Sequence, residues 1–220
     1  MSKRATPDFI QVLVRDLSRP SETRGFARGF WTGWAVWMAI FSGLTYWSTI
    51  EVPELSYLPA NLLDAGFIFE AMLWAVVTFA TSYVAYQSAF PRGASDRARS
   101  GTKTLLALTL IWTLLRTGGT PLLQQIRAET ELARGRCGGF IAVVGMAFTG
   151  WLLYRIRNAA PTRLVSAGAW SAAAAGSAGC FFMHLVCRNE NSAHLLIWHF
   201  VPLVALGLSG ACVAKRALSW

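Results

Sequence analysis

Residues 29–48 read GFWTGWAVWMAIFSGLTYWS, twenty positions in a row without a charge. A helix rises 1.5 Å per residue, so twenty residues reach about 30 Å, the thickness of a bilayer's hydrocarbon core. The run starts late and is too long for the apolar centre of a cleaved leader, so the N-terminus is expected to be retained. Further along the chain, five more apolar stretches follow: Ala65 to Gln87, Thr104 to about Leu123, Gly138 to Tyr154, Leu164 to Leu185 and His194 to Ala214. The third is the weakest, because its apolar part stops at Arg116 and Gly118, Gly119 and Pro121 follow.

The gaps between these stretches differ in charge. Lys3, Arg4, Arg15, Arg19, Arg24 and Arg28 precede the first span. Arg92, Arg97, Arg99 and Lys103 lie between the second and third, Arg155, Arg157 and Arg163 between the fourth and fifth, and Lys215 and Arg216 after the sixth. The alternate gaps hold only Arg116, Arg127, Arg134, Arg136 and Arg188. Basic loops stay on the cytoplasmic side, which places both termini inside and requires the third span to be kept. Lipid cannot satisfy open backbone groups, so the spans should be helices. The expected fold is all-α: a polytopic membrane bundle of six transmembrane helices with a short N-terminal amphipathic helix. Three regions follow, a cytoplasmic N-terminal segment over 1–28, a transmembrane domain over 29–214 and a cytoplasmic tail over 215–220.

Composition agrees. Charged residues make up 14% of the 220, mean hydropathy is +0.41, and the net charge is +9. Soluble domains carry about 25% charged residues. The basic residues punctuate apolar runs and form no stripe with interleaved aromatics, so direct nucleic-acid binding is not expected. Trp31, Trp47, Trp151 and Trp220 lie near predicted ends, where indole rings anchor at headgroup level.

Small residues indicate which spans touch. Gly168, Ala172, Gly176 and Cys180 recur every four residues in the fifth span. Gly207, Gly210, Ala211 and Ala214 share a face of the sixth. Such faces let two backbones approach closely, and the short connection Val186 to Ser192 predicts a hairpin.

Before the first span, Phe9, Ile10, Leu13, Val14 and Leu17 fall at helical spacing and form one apolar face between Pro7 and Pro20. Such a helix lies on the membrane surface or docks into a groove of a soluble partner.

Chemistry-bearing residues are few. Cys180 and Cys212 sit inside spans and read as packing residues. Cys137 and Cys187 both sit at outer ends of spans. Two thiols at one depth form a disulfide, share a soft metal, or stand as unpaired boundary residues. No C-x-x-C pair occurs, which argues against an ordinary thiol oxidoreductase. His184 and His194 are expected at the wet interface, with His199 deeper and hydrogen-bonded to another helix. A haem held by His184 and His199 would need them at one depth, which the loop disfavours. Glu70 is an intramembrane acid without an acidic partner in the spans, expected to be neutral and hydrogen-bonded to a neighbouring helix. No catalytic residue, metal site or cofactor is assigned, and no enzyme activity is expected. The alternative is a membrane thiol oxidoreductase or a haem-binding membrane protein.

Several stretches carry a family resemblance: FIQVLVRDLSRP (residues 9–20), RGRCGGFIAVVG (134–145), NAAPTR (158–163), HLVCRNENSAHLLIWHFVP (184–202) and the ending G-x-x-x-A-K-R-A-L-S-W. Over nearly its whole length the chain resembles the NrsF-type (negative regulator of sigma F) anti-sigma factors of bacterial inner membranes. The resemblance implies that the N-terminal segment, through Phe9, Ile10, Leu13, Val14 and Leu17, binds an extracytoplasmic-function sigma factor and keeps it from RNA polymerase. It also implies that Cys137 and Cys187 are the paired outer cysteines that sense metal or oxidative stress. The family's acidic Pro-Glu-Asp-type stretch after the second cysteine is replaced here by Arg188, Asn189, Glu190 and Asn191. A metal site relying on those acids would be weakened, which leaves thiol chemistry as the expectation.

Overall fold

The computed structural model describes residues 20–51, 64–115, 126, 136–159, 161–187 and 191–219. The predicted N-terminal helix over Phe9 to Leu17 lies outside the described residues. Among the described residues there are six helices: α1 Pro20–Glu51, α2 Ala65–Ser88, α3 Asp96–Leu115, α4 Arg136–Arg157, α5 Leu164–Val186 and α6 Ser192–Leu218. There is no strand among the described residues.

Four of the helices, α2, α4, α5 and α6, are long and apolar enough to cross a bilayer. The first predicted span falls on α1, and the described part of the third, up to Leu115, falls on α3. The first turns of α3 carry Asp96, Arg97, Arg99 and Lys103, which shortens its apolar length. Tryptophans and glycines dilute the apolar character of α1. Outward faces are rich in large apolar side chains, including Phe69, Met72 and Phe79 on α2, Val143 and Met146 on α4, and Val204 and Leu208 on α6. In water such faces would be a liability, and against lipid they are ordinary.

The chain falls into two compact units, residues 1–37 and 38–220. In the first, Phe26, Phe30, Trp31 and Trp34 form a run of ring contacts along α1, with centroids 5.3–6.1 Å apart. In the second, α5 is the central element, packed on α2, α4 and α6. Its middle, Ala172 to Gly179, contains only Ala, Gly and Ser, which allows close approach on several sides.

The α5–α6 hairpin forms as the small residues predict. A Cβ on Gly210 would meet the Ala172 Cβ and the Gly168 carbonyl oxygen at 2.5 Å, and one on Gly168 would collide with Ala214 and Gly210. Gly176 faces Leu203, while a Cβ on Gly207 would meet nothing within 4 Å outside its own helix, so Gly207 stands outside the contact. The Thr81 and Ser177 hydroxyls meet at 2.8 Å and tie α2 to α5. Asp64 caps α2 by accepting from Gly66 N–H, and Asn191 caps α6 by accepting from Ala193 N–H.

Candidate functional site

Cys137, in the first turn of α4, faces Cys187, one residue past the end of α5. Their sulfurs lie 3.7 Å apart, the Cys137 thiol donating, and they are not disulfide-bonded. The sequence placed both cysteines at one depth, and the structure brings them together. Two histidines join them. The His194 Nε2 lies 3.3 Å from the Cys187 sulfur. One candidate ligand atom from each of Cys137, Cys187, His194 and His199 lies within 4.8 Å of the others, and all four residues are buried.

The histidines correct the sequence reading. His184 and His194 were expected at the wet interface, yet they are 2% and 4% exposed. His199 is fully buried, and neither ring nitrogen has a hydrogen-bond partner among the described residues. His184 and His199, the two residues of the haem alternative, face different neighbours. His184 stacks on Phe67 at 4.9 Å, and its Nε2 lies 3.6 Å from Glu70 Oε2. Glu70 was expected to hydrogen-bond a neighbouring helix; it does lie against α5, but at 3.6 Å from the His184 imidazole the contact is longer than a hydrogen bond.

The backbone explains why His194 and His199 converge. Residues five apart on an α-helix point about 140° away from each other. Leu196–Phe200 forms a π-turn, in which Val201 N–H donates to the Leu196 carbonyl. A turn closed over five residues brings positions five apart nearly into register. The two rings then stand with centroids 5.9 Å apart. Pro202 follows, and a proline lacks the N–H and crowds the carbonyl four residues back, here that of Trp198. The legible signal was therefore H-x4-H with a proline three residues on.

Packing holds the remaining side. Gly138 lets α4 approach the π-turn, because a Cβ there would lie 2.9 Å from the Trp198 ring. The Cys180 sulfur donates to the His199 carbonyl oxygen at 3.4 Å, tying the π-turn to α5. Trp74, Ile141, Met183, Val186 and Phe200 pack round the cluster and keep it apolar.

The hydrogen bond from Cys137 holds the Cys187 thiol below its ordinary value, with His194 and His199 acting in the same direction and burial opposing. Alkylation of Cys187 should therefore rise with pH at values below those of an ordinary thiol, near 8.5. Removing the donor with Cys137→Ala should move that midpoint upward. Mass-spectrometric labelling across pH checks this, and an unmoved midpoint would contradict the hydrogen-bond assignment.

An apolar helical bundle with four helices long enough to cross a bilayer, lipid-suited faces and a buried thiol–imidazole cluster has the character of a membrane protein. Residues 13–220 match NrsF, negative regulator of sigma F, and the chain belongs to that family. It is thus one of a family of negative regulators of a sigma factor. Comparison with curated proteins and with solved structures gave no match.

Proposed function

We propose that this chain is a multi-pass anti-sigma factor of the bacterial inner membrane, with six crossings and both termini in the cytoplasm. Its N-terminal segment sequesters an extracytoplasmic-function sigma factor, and an external stress acting on Cys137 and Cys187 releases it. The reading involves no catalytic step and no direct nucleic-acid contact. The observation that carries it is the 3.7 Å approach of the two outer thiols in a chain that belongs to a family of sigma-factor regulators. Fifteen of the twenty basic residues fall in the gaps assigned to the cytoplasm, which supports the orientation.

Coupling within the bundle runs through α5. Cys187 directly follows the last residue of α5, which packs on α2, α4 and α6, so a change at the thiols moves α5 against three neighbours. A signal shifts binding only by its differential effect on two states. Tenfold release of the sigma factor requires about 1.4 kcal/mol.

The docking helix is tested by Leu13→Asp. Removing a buried leucine costs at least about 2 kcal/mol, so sigma-factor affinity should fall about thirtyfold or more. Pull-down from membranes should lose the sigma factor, and its regulon should switch on without stress. Retained pull-down with a silent regulon would exclude this face as the contact.

A further inference from the structure

We infer that Cys137, Cys187, His194 and His199 together bind one thiophilic divalent cation of the zinc and cadmium class in a closed four-ligand site. The inference names the chemistry at the sensing thiols, and its regulatory meaning rests on the function proposed above.

The spacing supports it. With metal–sulfur bonds of about 2.3 Å and metal–nitrogen bonds of about 2.05 Å, a tetrahedral site has an S···S edge of about 3.8 Å and S···N edges of about 3.5 Å. The sulfurs lie 3.7 Å apart, and the Cys187 sulfur is 3.3 Å from His194 Nε2. The ligand atoms of all four residues fall within 4.8 Å of one another. Coordination therefore requires only small shifts of side chains already in place.

The donor set also fits its surroundings. Binding replaces two thiol protons by one metal ion, with both imidazoles neutral: M²⁺ adds, two protons leave, and the complex carries no net charge. A neutral complex tolerates burial where an isolated ion does not. A disulfide would use only two of the four groups. It would leave His199, fully buried and with neither ring nitrogen partnered among the described residues, without a role. Two sulfurs and two nitrogens in tetrahedral array favour a d¹⁰ cation over hard ions, which take oxygen ligands. The π-turn adds a second, independent observation, since single π-turns in helices are frequently found at functional sites.

The test uses the full chain, reduced and purified in detergent, titrated with Co²⁺ alone. A four-ligand site gives the visible bands of tetrahedral cobalt together with thiolate-to-cobalt charge transfer in the near ultraviolet. Addition of Zn²⁺ or Cd²⁺ should bleach the visible bands stoichiometrically. Outer-shell partners typically contribute 10–100-fold to affinity. His199→Gln and His194→Gln should each weaken binding at least that much and alter the visible bands, with helical circular dichroism retained. His184→Gln serves as the control and should leave the spectrum unchanged, because that ring faces Glu70. Bands that are absent, or that survive both His194→Gln and His199→Gln unaltered, would overturn the site. If the cobalt bands are absent while cysteine variants still abolish stress induction, the cation site fails and the thiol-sensor reading stands. If four-ligand binding is found and cysteine variants induce normally, the site stands and the sensor reading fails.

Discussion

Gly210→Leu is expected to separate α5 from α6 and destabilise the bundle by about 3 kcal/mol or more. Even the first atom of the new side chain would sit 2.5 Å from the Ala172 Cβ and from the Gly168 carbonyl oxygen. Neither is the end of a flexible chain, so a helix axis must move. Leucine is otherwise the better helix former, by close to 1 kcal/mol. The matched control is Gly207→Leu, three residues earlier on the same helix, where an added Cβ would meet nothing within 4 Å outside that helix. That substitution should be neutral or slightly stabilising. Thermal loss of helical circular dichroism in detergent, with membrane accumulation measured in parallel, checks both. Equal effects of the two variants would mean that α5 and α6 do not approach through Gly168 and Gly210.

Replacing Cys137 and Cys187 together by Ser should abolish stress induction of the sigma regulon while the protein still accumulates. The two sulfurs touch, and in the proposed role they act on one event, so each single replacement should remove as much of the response as the pair. A regulon reporter read with and without an oxidant or a thiophilic metal salt measures this, with membrane immunoblots as the control. Normal induction in the double variant would sink the sensor assignment. Additive partial losses would mean that the two thiols act separately.

The helices were legible from apolar length, and four of the six predicted spans, α2, α4, α5 and α6, are long and apolar enough to cross a bilayer. Uninterrupted apolar length marks helices, and the bias of basic residues marks the loops. The closest contact was legible as well, since Gly168, Ala172, Gly210 and Ala214 keep to helical spacing. The cluster was only half legible. Cys137 and Cys187 could be placed at one depth by counting from span ends. Their meeting depends on how α4 and α5 rotate about their axes, and that follows from Gly138 and Gly179, whose close neighbours no periodicity reveals. His194 and His199 were misread because an ordinary helix would have pointed them apart. A single widened turn changed that geometry, and the proline behind it was the only local sign. Glu70 was read as bonded to an unnamed neighbouring helix and His184 as an interface residue, so neither was assigned to the other. They come together because their helices pack side by side.

The same widened turn has a consequence at the opposite end of α6. It holds one residue of slack. If the Val201-to-Leu196 hydrogen bond gave way to ordinary winding, everything beyond it would turn by about 100° about the helix axis. Lys215 and Arg216 ride on that far portion. The rotational phase of the basic tail is thus set by the very turn that presents the imidazoles.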